Sequence, residues 1–378
     1  DYLKEKGLKN SGVLKHVTSV EPLDDTTVVY YCDCCMPLFP DILSTGPGVA
    51  IFPEHIWSVI ENPAKQSDPE YIGSGPFKYV SSVSGDSYKM EAYGNYHGTL
   101  PYVDKVVRKL YSSQDAQILA LKKGEVDYVY DLAPATARSL RGEKGIGVTQ
   151  IPAGGKAYEV AFTCDVYPAN ITEFRQALSH AVNRNAMCMV IDSSATEPTD
   201  TVFLVPSLAG DQVNEDTNGL YDCDLEKAKT MLAGAGFTLK TEGGKNVLYG
   251  PDNMPVTITI PLGDKASINQ VDEKIVQVLK EDWDAKLGIR ITVENLQADS
   301  SAYKKRIGET AVHFDGMPGF FHDDISRLDN FQKSPRGHNY YHFDNATFND
   351  LIDDLGNTMD AAQRQAIGDE LQMILSEQ

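Results

Sequence analysis

The sequence is poor in the features that mark enzymes, membrane spans and nucleic-acid binders, and each scarcity narrows the reading. No uninterrupted apolar run reaches the ~18 residues that suggest a membrane-spanning helix. Basic residues are outnumbered, with 34 Lys and Arg against 54 Asp and Glu and a formal charge of −20. That balance opposes the phosphate neutralisation on which nucleic-acid binding depends, so nucleic acid is not an expected partner. There is no Gly-x-Ser-x-Gly elbow, no phosphate-cradling Gly-x-x-x-x-Gly-Lys-Ser/Thr and no His-Glu-x-x-His, which lowers the case for an enzyme. Nor is there a repeat of fixed period, so solenoids and propellers are not expected. Cysteine is scarce, six in 378 residues, yet three crowd into Cys32-Asp33-Cys34-Cys35. That run could ligate a metal or form a redox pair, but no His stands near it in sequence and no second cluster exists, so free or partly paired thiols are expected.

What is present describes a folded protein of more than one core. Hydrophobic residues make up 42% and charged residues 23% of the chain, far from the signature of disorder. A chain of 378 residues exceeds what one core usually serves, so two lobes are expected. The chain opens on Asp1-Tyr2-Leu3-Lys4, which is neither an initiator Met nor a signal peptide, and its last helical pattern runs to the final residue. Truncation at both ends is the expectation.

Periodicity gives an alternating α/β rhythm. A strand is predicted over 25–31, a hairpin around Ser84-Gly85-Asp86 and a basic strand over 103–111. A helix from about Gln114 stops at Gly124, before a strand at 126–129. Asn170 and Glu173 resemble a capping box, ahead of a stripe of Phe174, Ala177, Leu178, Ala181 and Val182. Another helix begins at Asp224 and ends at Gly236. Strands are predicted at 246–249 and 256–260, a helix carrying Ile275 to Leu287 stops at Gly288, and Ile289, Ile291 and Val293 alternate as a half-buried strand, forming a βαβ unit. Two closing helices carry Phe348 to Leu355 and Ile367 to Leu375.

The segment from Gly316 to Phe321 is rich in glycine and aromatic residues and runs directly into His322-Asp323-Asp324. Glycines permit close backbone approach to a ligand, and a carboxylate beside aromatic rings suits a ligand ammonium group. The bland readings are a core aromatic pair and a solvated acidic loop. His313, His322, His338 and His342 could supply metal ligands with nearby aspartates, but no spacing matches a zinc motif, and Pro335 and Gly337 argue against a helix presenting His338 and His342 together.

Several segments then agree on a family. The run Tyr71-Ile72-Gly73-Ser74-Gly75-Pro76-Phe77-Lys78-Tyr79, the stretches Asn95-Tyr96, Pro101 to Val107 and Leu121 to Asp127, the helix Phe174 to Arg184, Asp224 to Gly236, and Leu287-Gly288-Ile289 resemble the family 5 extracellular solute-binding proteins in order and spacing. The resemblance implies an α/β, two-lobed periplasmic-binding-protein-like fold of class II type with an extra subdomain on the first lobe. It divides the chain into a subdomain remnant at 1–70, an incomplete first lobe at 71–178 and a second lobe at 179–378, with a hinge near 151–170. It also implies an extracytoplasmic component of an ABC importer, periplasmic or anchored at the cell surface as a lipoprotein, that captures di- or oligopeptides between two lobes and delivers them to a membrane permease. Such a protein would be a monomer, not an enzyme, with no cofactor.

The family's Gly-Trp-x-x-Asp pattern is matched by Gly319-Phe320-Phe321-His322-Asp323, with Phe320 at the Trp position, so the resemblance makes Asp323 the partner of the ligand's amino terminus. Phe320, Phe321 and Tyr158 are then expected to line an apolar slot, with His322 and Asp324 beside it and Arg327 as partner for a ligand carboxylate. The alternative is a binder of chelated nickel or another metal complex using His322, His338 or His342. A hydrolase built on Asp323 and Asp324, and an adhesin or chaperone reusing the fold, are further readings.

Overall fold

The computed structural model describes residues 16–37, 39, 51–62, 71–130, 132, 134–149, 156–192, 198–199, 204, 209–263, 269–296, 300–318, 325–333 and 339–378. The chain divides into two compact units, one of Asp1–Asp33 with Ile42–Thr149 and the other of Cys34–Asp41 with Gln150–Gln378. Among the described residues no helix is long and apolar enough to cross a membrane.

The first unit is built from antiparallel ribbons. Strands β1 (Val17–Asp24) and β2 (Thr27–Cys32) form a hairpin. Strand β2 matches the predicted strand, whereas β1 carries no clean apolar alternation and was not expected. Strands β3 (Phe77–Val83), β4 (Ser87–Ala92) and β5 (Lys105–Lys109) form one antiparallel sheet in that order, with the β3–β4 turn passing through Gly85 at φ 74°. Helix α1 (Gln114–Lys122) starts where the Ser113 side chain accepts from the Ala116 amide and gives way to Gly124 at φ 70°. Residues 126–129, predicted as a strand, join no sheet among the described residues. Helix α2 spans Pro134–Leu140.

The second unit carries the larger core. Its strands and helices are β6 (Lys156–Phe162), α3 (Thr172–His180), α4 (Arg184–Asp192), α5 (Leu225–Gly234), β7 (Thr238–Glu242), β8 (Lys245–Tyr249), β9 (Thr257–Leu262), α6 (Asn269–Leu279), β10 (Arg290–Asn295), α7 (Ser300–Ile307), β11 (Val312–Pro318), α8 (Ala346–Asn357) and α9 (Ala361–Glu377). The predicted βαβ unit is present, with β9 and β10 paired in parallel from Thr257↔Arg290 to Leu262↔Asn295. Its crossover helix α6 ends in a π-helical stretch, Lys280–Ala285, which buries Trp283. The predicted stripe of α3 is buried as expected, through Phe174, Ala177 and Leu178.

A second local prediction also fails. Asn170 is not the cap of α3, because Ile171 occupies that place without a side-chain cap and the Asn170 amide is engaged by the Val166 carbonyl at 3.0 Å in the preceding turn. Asp224 does cap α5, accepting from the Lys227 amide at 2.9 Å.

Two glycine requirements are sharp. Gly236 ends α5 at φ 87°, the left-handed conformation glycine reaches without strain. Gly288 stands at φ 73°, and a Cβ there would lie 2.7 Å from the Asn246 carbonyl carbon and the Val247 amide, so β8 can close on this turn only over a bare Cα.

Candidate functional site

The candidate ligand-contacting segment, Gly319–Asp324, lies outside the described residues, and so do Phe320, Phe321, His322, Asp323 and Asp324 themselves. The structure fixes the elements on either side. Upstream, β11 pairs antiparallel with β6 from Val312↔Phe162 to Pro318↔Lys156. Downstream, a 3-10 turn over Ile325–Phe331 is anchored by Leu328 and Phe331, both buried. Six residues therefore span from the end of a paired strand to an anchored turn.

Tyr158 sits on the strand that pairs with the one feeding the segment, its backbone opposite Gly316. Arg327 lies in the 3-10 turn. The side chains of both are outside the described residues, as is His338. The structure thus places the Tyr158 backbone on the strand beside β11 and the Arg327 backbone in the turn that follows the segment.

The β6–β11 ribbon separates two hydrophobic clusters because strand side chains alternate between faces. Val160, Phe162, Val312 and Phe314 belong to the larger cluster with Trp283 and Ile291. Ala161 belongs to the second, with Leu204, Phe331, Tyr341, Phe343 and Phe348. Aromatic packing stiffens this second cluster: the Phe331 and Tyr341 rings stack with centroids 4.3 Å apart.

Polar groups tie the ribbon to its neighbours. The Tyr341 hydroxyl donates to Glu159 Oε1 at 2.7 Å. Thr163 Oγ1 lies 3.2 Å from His313 Nδ1 and donates to the Ile307 carbonyl at 3.2 Å. With the hydroxyl proton committed to Ile307, His313 Nδ1–H donates to Thr163 and Nε2 is left as an acceptor. That Nε2 is buried without a hydrogen-bond partner among the described residues. Burial, and secondarily the charge of His342, push the His313 imidazole down to about 4, so the ring is neutral near pH 7. His342, one of the candidate metal ligands, has its Nδ1 2.7 Å from Asp165 Oδ1. Burial pushes the Cys164 thiol up, which disfavours the reactive thiolate.

The conspicuous sequence segments turn out to fasten the second unit. Arg175 donates to the Ala169 carbonyl at 2.6 Å, to Thr172 Oγ1 at 3.0 Å and to the Gln378 backbone oxygen. Arg184 donates to the Tyr221 carbonyl at 2.8 Å. Asp282, buried, accepts from the Asn183 amide at 2.9 Å and from Lys286 Nζ at 2.7 Å.

Sequence reading passed over two arrangements. In the first unit, Tyr128 and Tyr130 stack at 6.3 Å with Arg108 donating to the Tyr130 hydroxyl at 2.7 Å. His16, which no sequence proximity linked to the cysteine-rich run, has its Nδ1 2.9 Å from Asp33 Oδ1. Alternate aromatics after Gly124 signal the first arrangement; only strand pairing reveals the second.

Comparison with known proteins adds what geometry alone does not carry. Residues 2–339 match the model of the bacterial extracellular solute-binding proteins, family 5 Middle. A Brucella ovis protein named as an ABC transporter peptide-binding protein is 28% identical over 268 residues, covering 70% of this chain and 49% of its own length. The chain therefore spans about half the length of the curated relatives of this kind. Among solved structures, the periplasmic oligopeptide-binding protein of an oligopeptide ABC transporter from Thermotoga maritima superposes with a TM-score of 0.83 at 19% identity, over 100% of this chain and 72% of that one. NikA from Brucella suis, in complex with Fe(III)-EDTA, gives 0.81 at 20% identity, over 99% of this chain and 74% of that one. The shared architecture is the two-lobed α/β periplasmic-binding-protein fold.

Proposed function

The chain belongs to the bacterial extracellular solute-binding proteins of family 5, and from that membership we propose that it captures short peptides outside the cytoplasm and delivers them to the membrane permease of an ABC importer. It binds and releases its ligand without altering it. The observation that carries this reading is the continuous family match over residues 2–339, which includes the Gly319-Phe320-Phe321-His322-Asp323 run.

Each site residue has a role in this proposal. Asp323 pairs with the ligand's ammonium group, since a carboxylate and an ammonium form a charge-assisted hydrogen bond roughly twice as strong as a neutral one. Phe320, Phe321 and Tyr158 supply apolar and aromatic contact, and His322 and Asp324 flank them. Arg327 takes a ligand carboxylate, for which a planar guanidinium fork is well shaped. The anchored elements at both ends of 319–324 reduce the ordering cost of binding. The protein acts in the periplasm or at the cell surface as a lipoprotein.

The test is a thermal-shift screen against di- to pentapeptide pools, nickel with small chelators, and sugars. A ligand bound only by the native state raises Tm in proportion to the logarithm of its excess over Kd. A peptide-dependent rise supports the proposal, and silence across the peptide pools overturns it. A chelated metal is the second reading, favoured by the fold shared with NikA. A rise with chelated nickel alone would replace the first reading with the second.

A further inference from the structure

We propose that the open end of the β1–β2 hairpin and the turn that follows it form a site for a borderline-soft divalent cation, with Zn²⁺ the best match, held by His16, Asp33 and Cys34. Val17 pairs with Cys32 across the hairpin. The Asp33 amide donates to the His16 carbonyl at 3.0 Å, which extends the ladder by one more pair and brings two side chains 17 residues apart in sequence to the same end. His16 Nδ1 then lies 2.9 Å from Asp33 Oδ1. One donor atom from each of His16, Asp33 and Cys34 lies within 4.8 Å of the other two. Zinc binds nitrogen and oxygen at about 2.0–2.2 Å and sulfur at about 2.3 Å in tetrahedral geometry, which sets ligand atoms of one ion roughly 3.2–3.8 Å apart. The three donors thus lie close enough for side-chain rotation at this exposed end to bring them onto one ion.

The donor set decides the kind of ion. Imidazole nitrogen and thiolate sulfur select zinc and its neighbours over magnesium or calcium, which favour oxygen alone. The exposed position leaves the fourth place to a water molecule, which suits zinc held by three protein ligands. The His16 and Asp33 side chains are also accessible, at 36% and 56% of their full exposure, so an ion can enter from solvent. Binding displaces the thiol proton of Cys34, which makes affinity rise with pH.

The site is independent of peptide capture, and its test does not depend on the peptide screen. The reduced full chain is titrated with Co²⁺ as a spectroscopic probe, and the ion is then displaced with Zn²⁺. The expected result is one equivalent of cobalt with a thiolate-to-cobalt charge-transfer band that zinc removes. Cys34→Ser should abolish the band and weaken zinc binding about tenfold or more, His16→Gln should weaken it comparably, and Cys188→Ser should change neither. Absence of the band in the native chain, or unchanged zinc affinity in both Cys34→Ser and His16→Gln, overturns the site and leaves a surface His–Asp pair beside exposed thiols.

Discussion

Tyr341 and Glu159, 182 residues apart in the chain, meet through a 2.7 Å hydrogen bond in which the phenol donates to the carboxylate. The bond joins the loop that precedes α8 to strand β6, and β6 in turn holds β11, the strand that runs into Gly319–Asp324. Removing the phenol oxygen leaves a half-buried carboxylate one donor short. Tyr341→Phe is expected to lower stability by about 1.5–3 kcal/mol, the usual range for a bond to a charged group, read from the urea midpoint. Glu159→Gln, whose amide oxygen still accepts, should cost less. A Glu159→Gln cost equal to or greater than that of Tyr341→Phe would contradict this account and assign the coupling to the carboxylate's charge.

His313 predicts a pH dependence of stability with a definite sign. Its imidazole ionises at about 4 in the folded chain against a reference of 6.5, so between these values the unfolded chain binds the extra proton. Stability therefore falls as pH drops from about 6.5 towards 4 and levels off below, where both states are protonated. The full contribution is about 3 kcal/mol at 1.36 kcal/mol per pH unit. Urea unfolding of the native protein and of His313→Gln at pH 7 and pH 4.5 should show a smaller pH effect in the variant. Parallel losses would place the dependence on other groups.

Gly288→Ala should be severe for a position that carries no side chain. The φ of 73° disfavours any L-residue, and the added methyl would stand 2.7 Å from the backbone of β8. Backbone cannot step aside as a side-chain tip can. A loss of more than about 2 kcal/mol is expected from combined strain and clash, whereas Gly234→Ala, with open space around its Cα, should cost little or stabilise α5. Near-equal melting temperatures of the two variants would contradict this account.

How far the sequence foretold the structure depended on the range of the interaction. Elements set by local pattern were legible: the stripe of Phe174, Ala177 and Leu178, the Asp224 cap, the Gly288 stop and the β9–α6–β10 unit. Strand β1 was not, since its sequence VTSVEPLD is mostly exposed or half-buried and shows no apolar alternation. The β6–β11 ribbon was missed for another reason. Its two strands lie about 150 residues apart, and β11 closes on Gly316, Met317 and Pro318, residues that read locally as a loop. The ligand segment was singled out by its chemistry, while the elements that flank it emerged only from tertiary pairing. The same holds for His16, brought to Asp33 by strand register alone.

The sharpest test of the proposed capture site is Asp323→Ala, measured with a peptide identified in the screen and its N-acetylated analogue. Asp323 lies five residues beyond the end of β11 and two before the 3-10 turn, so the substitution leaves both flanking elements intact and the fold should survive. If the carboxylate pairs with the ligand's ammonium, its loss removes a charge-assisted bond worth about 1.5–3 kcal/mol, or roughly ten- to a hundredfold in Kd. The acetylated peptide has no ammonium and should bind the native protein more weakly. It should lose little further affinity to the variant, so the two changes together cost less than their sum. Isothermal titration of both peptides against both proteins closes this cycle. Strict additivity would remove Asp323 from the amino-terminal role and shift attention to Asp324, one residue along the same segment.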